Sequence, residues 1–266
     1  MNQIKYVFLE VKKESPILYW IVILHLFAAL ICIPAILIDE RTLQGISVWI
    51  KPFKFLLSGA IYIFTVGFFL TLYPYSNRKK NILRNIVSWS TFLEIIIIVV
   101  QGARGVKSHF NLNTAFDGLL YGIMGIMVTI NVLLMILFLF DAIRLKLRVN
   151  RAVQSAIILG WLIVILGSWV GGQMLSQLSH TVGAADGGAG LPLFNWSTIA
   201  GDLRIAHFFG LHGLQIIPIF AYLISKKWNT KVSNKTLLVL AFGLLYAAWI
   251  GFTYFQAKQG IALLQL

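Results

Sequence analysis

Long apolar runs separated by short basic segments dominate the chain. Seven of these runs are long enough to cross about 30 Å of hydrocarbon, a distance that takes about 20 helical residues. They are too continuously apolar to be the weakly alternating strands of a membrane barrel. The pattern predicts an all-α polytopic membrane protein, a bundle of about seven helices. The predicted spans are about 17–38, 52–73, 84–102, 115–140, 152–175, 204–224 and 236–256.

Composition excludes a water-soluble globule. Hydrophobic residues make up 59% of the 266 residues and charged residues only 12%, against about 25% charged in soluble domains. The net charge of +13 would suggest nucleic acid in a soluble protein. Here the Lys and Arg residues flank apolar spans, where they set orientation and meet anionic lipids. We therefore expect membrane lipids as partners and no nucleic acid. The single cysteine, Cys32, excludes a disulfide framework.

The distribution of basic residues predicts that the N-terminus is inside and the C-terminus outside. In that orientation 15 of the 22 Lys and Arg residues lie on the inner side. They are Lys5, Lys12, Lys13, Arg78, Lys79, Lys80, Arg84, Arg144, Lys146, Arg148, Arg151, Lys226, Lys227, Lys231 and Lys235. The remaining seven are Arg41, Lys51, Lys54, Arg104, Lys107, Arg204 and Lys258. The plasma membrane is the expected location.

No linker or shift in composition divides the chain, so residues 1–266 are predicted to form one domain. Its longest connection, about 176–203, exceeds the usual 2–8 residues between bundle helices. Apolar side chains within it predict a lid that folds back onto the outer ends of the helices: Leu191, Leu193, Phe194, Trp196 and Ile199. Pro34 and Pro218 lie inside apolar runs and are expected to kink or break their helices.

The ionisable residues are unevenly distributed between the two predicted sides. Four of the five histidines fall in outer loops or in the outer halves of helices, together with three aspartates. These residues are His109, His180, His207, His212, Asp117, Asp186 and Asp202. Inner loops carry Lys and Arg but almost no His or Asp. Any chemistry is therefore predicted on the outer side.

The first unusual stretch runs from Glu94 to Asp117. Glu94 lies within an apolar run, where a charged side chain facing lipid costs about 2.5–3.5 kcal/mol on insertion scales. It is therefore expected to face the bundle, on one polar stripe with Gln101 and Arg104. Two interpretations of Glu94 stay open. It either forms a structural ion pair with a basic residue or is a functional carboxylate. The spacing of Thr114 and Asp117 resembles a capping box at the start of the next helix.

The next helix and the second unusual stretch supply further candidates. One face of the predicted helix carries Asp117, Tyr121 and Asn131, together with Met124 and Val128. This face is expected to turn toward other helices. Asp202 is expected to cap the next-to-last span, and His207 and His212 follow it. His212 lies about 140° around the helix from His207, so the two do not form an i, i+4 metal pair.

These residues define the candidate sites. The candidate catalytic residues are Glu94, Arg104, His109, Asp117, His207 and His212. The candidate metal ligands are His109, His180, Asp202, His207 and His212. Imidazole and carboxylate groups are common ligands of divalent metals, and two histidines can hold a haem, for which His25 and His212 are one pairing. A divalent metal or haem is thus a candidate cofactor, although no diagnostic ligand spacing occurs.

Three functions fit this pattern. The polar residues on one side favour an enzyme that acts on a lipid or a lipid-soluble substrate such as a quinone. The alternatives are a transporter or channel for a small solute or ion, which would use intramembrane charges, and a receptor-like or structural bundle without chemistry. The seventh span has no central lysine, which argues against a retinal Schiff base.

Overall fold

The computed structural model describes residues 3–188 and 190–265, and this part of the chain is helical apart from short strands and loops. The helices are α1 (Gln3–Glu14), α2 (Pro16–Ile38), α3 (Ile50–Leu72), α4 (Asn77–Ala103), α5 (Ala115–Arg144), α6 (Arg151–Gln177), α7 (Leu203–Lys227) and α8 (Val232–Lys258). Seven of them, α2 to α8, are long and apolar enough to cross a membrane. The prediction of a seven-helix membrane protein is confirmed, while its orientation stays a prediction.

The start of α4 and the presence of α1 differ most from what hydropathy predicts. α4 begins at Asn77 rather than near residue 84 because Ser76 caps it, its hydroxyl accepting a hydrogen bond from the Lys79 amide at 3.3 Å. The polar residues that follow continue the helix. α1 was not predicted, since it is amphipathic rather than apolar; its Val11 is fully buried. Pro34 and Pro218 lie inside helices that continue past them.

The described chain forms two compact units, Met1–Leu134 (unit 1) and Met135–Leu266 (unit 2), and the boundary between them falls within α5. In unit 1, helices α2, α3 and α4 pack against one another, and α1 packs on α2 and α3. A short ribbon of β1 (Thr42–Leu43) and β2 (Ile46–Ser47) precedes α3. Leu18 and Ile63 belong to the buried core of this unit.

In unit 2, helices α6, α7 and α8 pack against one another. Gly167 on α6 meets Gly210 on α7 so closely that a Cβ atom on either residue would lie less than 3.0 Å from the backbone of the other. Only glycine permits such an approach at both positions. The long connection between α6 and α7 carries β3 (Thr181–Val182) and β4 (Gly201–Asp202), which pair antiparallel.

Candidate functional site

Asp117 is the centre of a buried polar network in unit 1. Its carboxylate accepts hydrogen bonds from Gln101 Nε2 at 2.9 Å, Arg104 Nη1 at 2.6 Å and Thr114 Oγ1 at 2.8 Å. The Asp117 amide in turn donates to Thr114 Oγ1 at 3.1 Å, as the sequence predicted for the start of α5. Asp117 is 3% exposed and Gln101 is fully buried. Because every carboxylate oxygen has a donor, this network is a structural one that joins the end of α4 to the start of α5.

Glu94 does not take part in this network. The predicted stripe of Glu94, Gln101 and Arg104 is therefore incomplete, because Arg104 pairs with Asp117 instead. Among the described residues, no hydrogen bond or ion pair reaches the Glu94 carboxylate, although Tyr62 on α3 lies within electrostatic range. The interpretation of Glu94 as one partner of a structural ion pair is not supported.

His109 lies in the connection between α4 and α5 and interacts with a cation. Its Nδ1 atom is 3.2 Å from Lys51 Nζ and 3.1 Å from Ser108 Oγ. An ammonium group only donates, so Nδ1 accepts and the ring hydrogen is on Nε2. A nitrogen that accepts from an ammonium group is a poor metal ligand. The ring also lies 6.4 Å, centroid to centroid, from that of Tyr121, whose hydroxyl is buried without a hydrogen-bond partner.

His180 and Asp186 hold together the start of the long connection in unit 2. The Asp186 carboxylate accepts from His180 Nδ1 at 2.7 Å, from Thr181 Oγ1 at 2.8 Å and from the amides of both residues. Burial alone would raise the pKa of the Asp186 carboxyl, but the hydrogen bonds and charge of His180 and the Thr181 hydroxyl hold it well below its usual range. This pair therefore has a structural role, because it stabilises the backbone turn at the start of the long connection.

Asp202 caps α7, as the sequence predicted. Its carboxylate accepts from the Arg204 amide at 2.9 Å, from the Arg204 guanidinium at 2.6 Å and from the Ser197 amide at 2.8 Å. Arg204 also donates to the Asn195 carbonyl. Asp202 thereby ties the long connection to the first turn of α7, and its oxygens are occupied.

His207 is the candidate in which a ring nitrogen stays available. Its Nδ1 atom lies 2.8 Å from the carbonyl oxygen of Gly167 on α6. A carbonyl only accepts, so the hydrogen is on Nδ1 and the Nε2 atom carries a lone pair. In the described part of the chain no hydrogen bond reaches Nε2. The ring lies beside Gly171, where a Cβ atom would come within 2.9 Å of it, and it is partly buried.

Aromatic side chains surround this end of α7. Phe194 and Trp196 of the long connection lie 5.8 and 5.5 Å from Phe208, ring centroid to ring centroid. The Phe208 ring is 4.5 Å from that of His212. His212 also interacts with the Gln215 side chain, and both His180 and His212 lie within electrostatic range of His207. The long connection is thus ordered against α7 through its aromatic residues.

The metal hypothesis gains no support from this arrangement. Among residues 3–188 and 190–265, no group of three or more His, Cys, Asp or Glu side chains is placed to hold a metal ion. Each candidate aspartate is already bonded to a neighbour, and His109 faces a cation. A pairing of His25 with His212 around a haem stays a prediction.

Sequence reasoning missed two polar arrangements. At the N-terminal end of α4, the Glu14 carboxylate lies 2.6 Å from Arg84 Nη2 and 3.4 Å from Lys80 Nζ. Burial alone would raise the pKa of Glu14, but the Arg84 hydrogen bond and both charges lower it below its usual value. The second is a chain through Tyr62, Asn131 and Ser90 in unit 1. The predicted polar face of α5 indicated Asn131, but nothing in the sequence indicated its partners.

Comparisons with protein-family models, with curated proteins and with solved structures found no match for this chain.

Proposed function

We propose that this protein is a membrane enzyme that binds a lipid-soluble ring compound, of the quinone type, at the end of unit 2 where α7 begins. His207 would be its proton-transfer group. The observation that carries the proposal is the hydrogen bond from His207 Nδ1 to the Gly167 carbonyl, at 2.8 Å. It fixes the ring tautomer and leaves Nε2 with a lone pair, which can accept the proton of a hydroxyl group on the bound compound and leave the oxygen as its anion.

The aromatic group beside the first turns of α7 favours a planar substrate. Phe194, Trp196 and Phe208 offer ring faces and edges, which bind conjugated rings through offset or edge-to-face contacts. The long connection also exposes apolar side chains: Ile199 is 60% exposed and Leu193 is 46% exposed. Exposed apolar residues on a loop favour contact with the membrane interface, from which a lipid-soluble substrate enters. The predicted orientation would place this site on the outer side of the plasma membrane.

Haem binding is a second candidate, favoured by the same hydrogen bond. Histidines that ligate metals commonly donate their other ring N–H to a carbonyl or carboxylate. A haem needs only one or two axial histidines, so it does not require a cluster of three ligands. His207 Nε2 would be the axial ligand, and the haem would supply redox chemistry.

The test uses the purified full-length protein in detergent. An absorption spectrum with a strong haem band would favour haem, and a colourless protein would exclude a bound haem in that preparation. A short-chain ubiquinone analogue is then titrated while tryptophan fluorescence is followed, because Trp196 and Trp249 both contact Phe209, two residues after His207 in α7. We expect saturable quenching by the quinone.

Two substitutions of His207 separate the roles of its nitrogens. His207→Asn keeps a donor near the Nδ1 position and removes Nε2, whereas His207→Gln presents an amide near the Nε2 position and loses the bond to Gly167. We expect His207→Asn to fold normally and to weaken quinone binding, or to lose haem, at least about tenfold. His180→Asn is the control for a structural histidine, and it should retain binding. Equal binding by His207→Asn and the wild type would overturn the proposal.

A further inference from the structure

The middle of unit 1 contains a chain of polar side chains contributed by three helices. The Tyr62 hydroxyl on α3 donates to Asn131 Oδ1 on α5 at 3.4 Å. Asn131 Nδ2 donates to Ser90 Oγ on α4 at 2.9 Å and to the Met127 carbonyl at 3.0 Å. The Ser90 hydroxyl donates to the Ile86 carbonyl at 2.6 Å. These positions lie near the middle of helices long enough to cross a membrane, so the chain is at membrane depth.

Glu94 lies next to this chain. It follows Ser90 by one helical turn, about 40° around the axis of α4, and it lies within electrostatic range of Tyr62. Thr91, on the same side of α4, has a hydroxyl that is buried without a hydrogen-bond partner. Glu94 has no ion-pair partner among the described residues. A carboxylate without a counter-ion at this depth is costly, which makes the neutral, protonated form favourable.

The groups around Glu94 fit a proton better than a metal ion. Each side chain in the polar chain is already engaged: Asn131 Oδ1 accepts from Tyr62, and Ser90 Oγ accepts from Asn131. A hard metal cation needs about six oxygen ligands, and these neighbours do not offer that number of uncommitted oxygens. A proton needs only the carboxylate itself and one acceptor nearby.

In the described parts of α3 and α4, the Lys and Arg residues lie within the first eight residues of each helix, and α2 has none. α4 packs against α2 and α3. The titratable groups of these helices that pack beside α4 are Tyr62, His25 and Cys32. The ring of His25 contacts Phe92, and Cys32 is buried in one cluster with Ile95. α5 contributes the neutral Asn131. Lys54 on α3 is eight residues from Tyr62, about 12 Å along the helix. Arg84 on α4 and Arg104 at its C-terminal end are each ten residues from Glu94, about 15 Å along the helix.

We propose that Glu94 is an intramembrane proton-binding site, adjoined by Tyr62, Ser90 and Asn131, that takes up and releases a proton reversibly. A reversible proton at membrane depth is the element from which pumps and transporters build proton relays. This site gives unit 1 a proton-exchange activity that is independent of the function proposed for His207 in unit 2.

The test is labelling with dicyclohexylcarbodiimide, an apolar reagent that attacks protonated carboxyl groups from within the membrane. The full-length protein in lipid vesicles is labelled over a range of pH, and the modified peptides are identified by mass spectrometry. We expect Glu94 to be labelled strongly at low pH and at least about tenfold less at high pH. Asp202, which is paired with Arg204, is the internal control and should stay unlabelled at neutral pH.

A second measurement removes the dependence on reagent access. The infrared carbonyl band of a protonated carboxyl group, recorded against pH, should appear in the wild type and in Glu40→Gln, and should be missing in Glu94→Gln. Glu40 is an exposed residue of the connection before α3, so its substitution controls for the loss of one carboxyl. A Glu94 signal that is absent at every pH, or that does not change with pH, would overturn the proposal. His207→Asn should leave the signal unchanged.

Discussion

In unit 2, α6 and α7 meet backbone to backbone, whereas in unit 1 α5 meets α3 and α4 through side chains that form hydrogen bonds with one another. In unit 2, Gly167 and Gly210 bring α6 and α7 into direct main-chain contact. In unit 1, Asn131 joins α5 to both α3 and α4 through Tyr62 and Ser90. Lipid tails are as apolar as leucine side chains, so close packing and hydrogen bonds, rather than the hydrophobic effect, hold helices together inside a membrane.

This difference affects which chemistry each unit can hold. Close backbone contact in unit 2 brings the Gly167 carbonyl within reach of a single imidazole on α7 and so orients His207. The side-chain contacts of unit 1 instead provide a polar surrounding in which the Glu94 carboxyl is tolerated without a counter-ion. We therefore expect unit 2 to depend on small residues for stability and unit 1 to depend on uncharged polar residues.

The largest expected effect concerns two Asp–Arg pairs of the same local geometry. Asp202 in unit 2 is 1% exposed and also accepts from the Ser197 amide. The Asp39 side chain in unit 1, which pairs with Arg41 and accepts from Trp49 Nε1, is 21% exposed. Asp202→Ala should lower the free energy of unfolding by about 3 kcal/mol, because it removes the carboxylate partner of the Arg204 guanidinium and the cap of α7. Asp39→Ala should cost far less. Unfolding in mixed detergent micelles measures both, and equal losses would contradict this assignment.

The glycine contact gives the second effect. Gly167→Ala places a methyl group against the backbone of Gly210, so α6 and α7 must separate, at a cost of about 2–3 kcal/mol. Gly172→Ala, on the same helix but facing open space, should be neutral or slightly stabilising because alanine favours helix. The same unfolding measurement applies, and a stable Gly167→Ala variant would show that backbone contact does not hold unit 2 together.

The third prediction concerns acid sensitivity of the long connection in unit 2. The pKa of Asp186 is lower in the folded state than the value of about 3.9 in an unfolded chain. Its contribution to stability is therefore present above about pH 4 and declines as the pH falls toward the folded-state pKa. Asp186→Asn should cost about 2 kcal/mol at pH 7 and progressively less in acid. Protease cleavage within residues 178–202, followed at pH 7 and pH 3, measures this, and a difference that does not change with pH would exclude a role for the carboxylate charge.

The smallest effect compares one tyrosine from each unit. The Tyr246 hydroxyl in unit 2 donates to the Phe209 carbonyl at 2.8 Å, whereas the Tyr62 bond to Asn131 in unit 1 is 3.4 Å long. Tyr246→Phe should cost about 0.6 kcal/mol, the usual value for a hydrogen bond between membrane helices, and Tyr62→Phe less. Thermal unfolding of the two variants in the same detergent provides the comparison. A larger loss of stability for Tyr62→Phe than for Tyr246→Phe would mean that the hydrogen bonds of the polar chain in unit 1 strengthen one another.

Local features were predictable because their partners are close in sequence. The hydrogen bond between Thr114 and Asp117 and the cap that Asp202 forms on α7 each span no more than three residues. The polar face of α5 was likewise predicted, and Asp117, Met124 and Asn131 are buried. Val128, on the same predicted face, is 40% exposed. The face that periodicity predicts is wider than the part of it that the neighbouring helices cover.

The amino-acid sequence by itself determined the membrane class, the seven spans and the caps of α5 and α7, because these follow from transfer free energies and from contacts within a few residues. Only the tertiary structure decided that Arg104 pairs with Asp117 rather than Glu94, and that His207 donates to Gly167 on another helix. Helical periodicity gives the direction of a side chain around its own axis, but it does not give the distance or identity of the neighbouring helix. In this protein those quantities follow from the packing of glycines and from polar partners far apart in the chain.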